Sequence, residues 1–272
     1  MELRGDYGSM RPDYTVDQDW SAYSAADHET WRLLLRRQMR LLPGHACAAF
    51  ADGVAALGLT DRIPRFDEAS AILERATGWR IVAVPGLLPD AQFFEHLAGR
   101  RFPVTVWMRR RDEIDYLVEP DLFHDFFGHV PLLLDPVFAD FLHAYGTRGR
   151  VAAGAALRRL ARLYWYTVEF GLLATPAGLK AFGAGLLSSR SELVHAVTDP
   201  RPLRVRFDAR RVMSTDYRID RFQETYFVLD GFDELYATLS EDATQPGDLD
   251  YAPGERAPGD ALATLPALAS VA

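Results

Sequence analysis

Two histidines stand five residues apart in Glu119-Pro-Asp-Leu-Phe-His124-Asp125-Phe-Phe-Gly128-His129-Val-Pro131. Their neighbours Leu122, Phe123, Phe126, Phe127 and Val130 are apolar, and burying two imidazoles there is costly unless they share a strong partner. A metal ion is such a partner. On a straight helix, at about 100° per residue, the two rings diverge by about 140°. The expectation is therefore a distortion or a helix end at Gly128 that swings His129 back towards His124.

Such a site needs a third ligand, and Glu169 in Leu163-Tyr-Trp-Tyr-Thr-Val-Glu169-Phe-Gly-Leu-Leu is an acid amid aromatics. A bare carboxylate there has a raised pKa unless it is paired or bound to metal. Leu157, Leu160, Ala161, Tyr164 and Val168 follow helical spacing towards a core, while Trp165 and Glu169, one turn apart, share another face. A salt bridge to Arg162 is the plainer reading of Glu169. Two neutral imidazoles with one carboxylate form the ligand set of the non-haem ferrous oxygenases, and the same donors suit catalytic zinc. A zinc hydrolase would use Asp125 as its base, although Asp125 does not occupy the glutamate position of HExxH. A 2-oxoglutarate oxygenase would set its ligands on a β-barrel, whereas these lie on predicted helices.

The elements that must hold these residues are mainly helical. Ser24 with Asp27 forms a capping-box start to a helix that Pro43 stops, and a second helix runs to Gly58. Asp67 is expected to cap a third helix ending near Gly78. Trp79–Val84 and Pro103–Met108 read as short strands on either side of a helix from Asp90 to Ala98, with no βαβ repeat. Pro120, Pro136 and Pro176 each stand at an expected first helical position, after Glu119, Asp135 and Thr175. The fold class is mainly α with small β-sheet elements (α+β) in one catalytic domain, residues 21–240. Residues 1–20 form a polar arm without chemistry, and residues 241–272 a loosely held tail with Leu262, Leu265 and Leu268.

Composition narrows the function. The 272 residues are 49% hydrophobic, enough for one sizeable core, and the formal charge is −8. That gives no footprint for nucleic acid. Cys47 is the one cysteine, so an intrachain disulfide and a thiolate cluster are both ruled out. No run reaches the length of about 18 apolar residues that a membrane span needs, and a cytoplasmic protein is expected.

Three blocks, EPDLFHDFFGHVP, YWYTVEFGLL and AFGAGLLSS, within a match from about Trp20 to about Phe232, resemble the aromatic amino-acid hydroxylases. The resemblance is greatest to the compact bacterial members, which convert L-phenylalanine to L-tyrosine with O2. It implies that His124, His129 and Glu169 hold Fe(II), and that a tetrahydropterin (tetrahydrobiopterin or a relative) supplies the electrons for O2 activation. It implies pterin contacts at Gly86, Leu87, Leu88 and Phe93, where Pro89 and Asp90 replace the serines of many relatives. Arg109 matches an arginine that clamps the amino-acid carboxylate, while Arg110 and Arg111 read as solvated. Trp165 matches the aromatic lining the substrate ring, and Gly185 and Ser188 match a segment near the amino acid, with Ser188 able to orient His124. Leu117 stands where animal relatives have a threonine. With no heptad in the tail, a monomer is expected. Tryptophan hydroxylation, attack at another ring position and a non-catalytic binder are the alternatives.

Overall fold

Ser24 accepts from the Asp27 backbone while Asp27 accepts from Ser24, and this capping box opens α1 (Ala25–Met39). The computed structural model describes residues 4–115, 117, 119–239 and 250–263. The chain divides into two compact units, Met1–Pro43 with Ala48–Ala152, and Gly44–Cys47 with Ala153–Ala272. Among the described residues no helix is long and apolar enough to cross a membrane.

α1 leads through a short α2 (Leu42–His45), whose last two residues belong to the second unit, to α3 (Ala48–Leu57) and α4 (Phe66–Thr77) of the first. Asp67 lies inside the first turn of α4 and Arg65 is the N-cap, without a side-chain cap bond. Asp67 is thus a charge at the positive helix end and not the cap expected of it. β1 (Arg80–Val84), α5 (Asp90–Ala98) and β2 (Arg101–Thr105) follow, and the strands pair in parallel. A parallel pair needs a crossover, and α5 is that crossover. The second strand begins two residues before the expected Pro103 and ends at Thr105. Its proline is tolerated because a two-stranded sheet consists only of edges. The Pro85–Pro89 loop and the stretch leading to Arg109 therefore leave the same, carboxyl edge of the pair.

The segment that carries both histidines is a π-helix, Phe123–His129, continued by a 3-10 turn, Val130–Leu134. It starts behind Asp121, whose carboxylate accepts from the His124 backbone, so Glu119 and Pro120 lie ahead of the helix and do not open it. Widened helices are rare because their hydrogen-bonded turns pack less well, and this one sits in an aromatic cage. Phe123 stacks on Phe127 at 4.8 Å, Trp31 meets Phe123 and Phe126 edge-on, Phe66 stacks on Phe126, and Phe50 meets Phe127. Asp135 then caps α6 (Pro136–Gly149), with Pro136 at its first position.

The second unit begins with α7 (Ala155–Tyr164), which runs into another π-helix, Trp165–Glu169. Leu160, Leu163, Tyr166 and Val168 are buried, while Ala161 and Tyr164 are half-buried. β3 (Leu172–Thr175) and β4 (Gly178–Ala181) form a hairpin. Pro176 is therefore a turn residue and not a helix start: Thr175 Oγ1 donates to the Gly178 carbonyl and accepts from the Ala177 N–H, closing the two-residue loop. α8 (Ala184–Ser188), α9 (Arg190–Thr198), β5 (Leu203–Arg206), α10 (Ala209–Met213), β6 (Thr225–Leu229) and α11 (Asp233–Ala237) complete the unit, with the sheet order β4-β3-β6-β5. Of the tail, Ala261 and Ala263 hydrogen-bond to Arg206 and Arg204 of β5. Leu265 and Leu268 lie outside the described residues.

The cage predicts its own cost of removal. Phe126→Ala should lower the unfolding free energy by about 3–5 kcal/mol, read by urea denaturation at constant slope. A loss below about 1 kcal/mol, the range of a conservative core swap, would show that these rings do not hold the π-helix.

Candidate active site

In a π-helix residues five apart succeed one another along one face, which is how His124 and His129 come together. Their ring centroids lie 5.2 Å apart with planes at 81°. The distortion expected at Gly128 is thus spread over the whole segment. His129 is buried and packs at 5.0 Å from the Phe102 ring, and His124 is half-buried. Glu169 ends the second π-helix and is also half-buried. One donor atom from each of His124, His129 and Glu169 lies within 4.8 Å of the others. Two imidazoles and a carboxylate so disposed fit a single divalent ion of borderline softness. Arg162, the plainer partner for Glu169, pairs with Asp216 and Asp250 and donates to the Met213 carbonyl. Asp125 accepts from the Thr105 N–H at 2.8 Å, tying the π-helix to β2. A carboxylate engaged in that way is poorly placed to act as a hydrolytic base.

Gly183 has no counterpart among the sequence expectations, yet it fixes the backbone of Glu169. A Cβ at Gly183 would lie 2.4 Å from the Glu169 carbonyl oxygen. Gly185 leaves similar room: its Cβ would come within 2.8 Å of the Phe170 ring, which packs at 4.8 Å from Trp165. The half-buried Trp165 stacks on Tyr217 at 4.4 Å and donates from Nε1 to Gln223 Oε1 at 3.0 Å. Tyr217 and Gln223 leave no sequence signal, since neither belongs to a periodic or capping pattern. Ser188 is buried and its hydroxyl donates to the Ala184 carbonyl. Its oxygen retains only the acceptor role towards an imidazole N–H.

The loop Pro85–Pro89 follows β1. Gly86 is buried, Leu87 exposed, and Leu88 and Phe93 are half-buried. A Cβ on Gly86 would lie 2.8 Å from Tyr7 Oη and 2.9 Å from Glu119 Oε1, so a side chain there would have to push both of these side-chain ends aside. Pro89 is the N-cap of α5 and Asp90 its first residue, so the two positions that differ from many relatives start that helix. The arm takes part here: Tyr7 Oη donates to the Leu87 carbonyl, the Arg4 backbone donates to Glu119, and the Arg4 guanidinium lies over the Trp107 ring.

Arg109 is 6% exposed and reaches Asp121 side-on: Nε donates to Oδ2 at 2.8 Å and Nη2 to Oδ1 at 2.7 Å, while the Arg109 backbone N–H also donates to Oδ2. One of the two forks of the guanidinium is therefore occupied, and the end-on Nη1/Nη2 fork is the one left for a carboxylate. Arg110 and Arg111 are exposed, as expected, with Arg110 bonded to Glu113. Burial alone would raise the Asp121 pKa, but the Arg109 charge, its side-chain bonds and the backbone N–H groups of His124 and Arg109 together hold it below the ordinary carboxylate value. The signal for Asp121 was present in the sequence, as an acid three residues ahead of a helical histidine, the place of an N-cap.

A family model described as biopterin-dependent aromatic amino acid hydroxylase matches residues 13–252. The chain belongs to this family. Phenylalanine-4-hydroxylase of Ralstonia nicotianae is 56% identical over 263 residues, covering 96% of this chain and 80% of that protein. The protein of the same name from Chromobacterium violaceum is 56% identical over 243 residues, covering 89% and 79%. The crystal structure of the C. violaceum phenylalanine hydroxylase with bound iron(III) and 7,8-dihydrobiopterin superposes with a TM-score of 0.88 at 52% identity, over 94% of this chain and 95% of that one.

Within this family member the Asp121 pair should be legible in acid. Because the folded-state pKa is depressed, its stabilisation is complete above the unfolded value of about 4 and is lost as pH falls through the lower folded value. Asp121→Asn should cost about 3–5 kcal/mol near neutral pH. The gap to the unsubstituted protein should shrink below pH 4; a gap constant down to pH 2.5 would mean that Asp121 is not the ion pair's titrating member.

Proposed function

We propose that the chain converts L-phenylalanine to L-tyrosine with O2 and a tetrahydropterin at one ferrous ion held by His124, His129 and Glu169. The carrying observation is the close grouping of two imidazoles and one carboxylate in a member of a biopterin-dependent hydroxylase family. The relatives named phenylalanine-4-hydroxylase and the iron- and dihydrobiopterin-bound structure support the substrate and cofactors.

When bound, the pterin and the iron supply the electrons and the O2 activation that an amino acid side chain cannot. The residues of the chain position. Neutral imidazoles from His124 and His129 and an ionised carboxylate from Glu169 would hold the ion, a donor set that suits ferrous chemistry. Ser188, whose hydroxyl hydrogen is already given to the Ala184 carbonyl, would serve as an acceptor that orients His124. The free end-on fork of Arg109 binds the carboxylate of the amino acid, and Asp121 keeps that fork aimed. Trp165 lines the aromatic ring of the substrate, with Gly185 making room behind it. Gly86, Leu87, Leu88 and Phe93 would hold the pterin. The protein acts as a cytoplasmic monomer in this reading, and with Cys47 as its one cysteine it needs no oxidising compartment for an intrachain disulfide.

Iron-loaded protein incubated with a tetrahydropterin and each aromatic amino acid should form tyrosine from phenylalanine in step with pterin oxidation. Absence of any hydroxylated product with iron bound would overturn the assignment. His124→Ala and Glu169→Ala should each abolish stoichiometric iron binding or turnover, and full activity in either would remove that residue from the ligand set. Arg109→Ala should raise the KM for phenylalanine far more than that for the pterin; equal effects would dismiss the clamp.

A further inference from the structure

We propose that Gln223 and Glu192 are positioning residues that set the orientation of the Trp165 ring and thereby which aromatic side chain the site accepts. The inference rests on the reading of Trp165 as the wall of the substrate pocket. An indole has two degrees of rotation to fix. The stack on Tyr217 at 4.4 Å and 18° fixes its plane, and the Nε1–H bond to Gln223 Oε1 fixes its rotation within that plane. Loss of either leaves a large flat wall free to turn.

Gln223 is held so that it presents oxygen and not nitrogen. It is 4% exposed, and its Nε2 donates to the carbonyls of Arg218 at 2.9 Å and Arg221 at 3.3 Å. A flipped amide would set its NH2 group against the indole N–H and its oxygen against two carbonyl oxygens, losing all three bonds. Its backbone is anchored in turn: the Gln223 N–H donates to Glu192 Oε1 at 2.9 Å, and the Tyr226 hydroxyl donates to the same oxygen at 3.1 Å. Glu192 lies on α9 and Gln223 two residues ahead of β6, so this oxygen joins a helix to the strand entry that carries the glutamine. Both bonded groups are neutral, and burial pushes the Glu192 carboxyl up to about 7, with the two donors easing the shift. Among the described residues no cation pairs with Glu192, and a buried acid without one costs stability. Its retention here fits a role in geometry.

Iron-loaded full-length variants test the chain of contacts. Gln223→Leu removes the acceptor for Trp165, Gln223→Glu keeps that acceptor but loses both donors, Glu192→Leu removes the anchor, and Glu192→Gln keeps both acceptor roles. Gln223→Leu and Glu192→Leu should raise the KM for phenylalanine by about tenfold, leave the pterin KM unchanged, and lower tyrosine formed per pterin oxidised. They should also shift the ratio of kcat/KM for phenylalanine over tryptophan. Gln223→Glu should fall between, and Glu192→Gln should restore the coupling and the ratio. The Trp165 contribution to near-UV circular dichroism, isolated by subtracting the Trp165→Phe spectrum in each background, should weaken in Gln223→Leu. If Glu192→Leu does not fold, Gln223→Leu carries the test alone. A folded Gln223→Leu protein with unchanged Trp165 spectrum, KM, coupling and selectivity overturns the proposal. The spectrum needs no turnover, so it reads the ring's orientation even if no amino acid is hydroxylated, an outcome that would instead overturn the function proposed above.

Discussion

A single buried carboxylate governs the arrangement. Asp121 accepts from the backbone, Nε and Nη2 of Arg109 and from the backbone of His124. It therefore fixes the direction of the guanidinium and the first turn of the helix that carries two metal-ligand candidates. Buried ion pairs seldom add net stability over apolar substitutes. What this one contributes is geometric: the spacing between the Arg109 guanidinium and the histidine-bearing helix follows from one side chain, and neither can move without the other.

Around that pair the chain uses helices whose turns are one residue too wide. The five-residue histidine spacing makes sense only in such a helix, and the Trp165–Glu169 stretch repeats the device in the second unit. Each is stabilised from outside, the first by stacked phenylalanines and the second by the close backbone approach that Gly183 permits. Functional sites often bear such local strain because the surrounding packing over-determines it.

The chemistry was more legible in the sequence than the geometry that achieves it. His124, His129 and Glu169 stand out because polar, metal-binding side chains in apolar runs need a reason, and burial supplies one. The π-helices do not stand out, since helical periodicity assumes 3.6 residues per turn and leaves Gly128 as the visible cause of a bend. Pro176 mimics a helix start because proline suits both a first helical turn and a tight turn, and only pairing across β3 and β4 distinguishes them. Asp67 is expected as a cap and lies inside its helix, whereas Asp121 and not Glu119 holds the start of the histidine helix: an acid near a helix start reads as a cap wherever it falls, and the backbone decides which one is. Gln223, Tyr217 and Glu192 were invisible because their partners are distant in the chain.

The β3–β4 hairpin joins the two halves of one backbone contact, since Phe182 and Gly183 both donate to the Gly171 carbonyl just after Glu169. Side chains alternate faces along a strand, so a single added residue in either strand would slip the register and bring a side chain to the place that Gly183 leaves empty. Added residues in the Pro176–Ala177 loop would not. Over evolutionary time the hairpin can therefore lengthen at its tip and diverge freely there, while its two strands keep a fixed count, like a ruler clamped at one end.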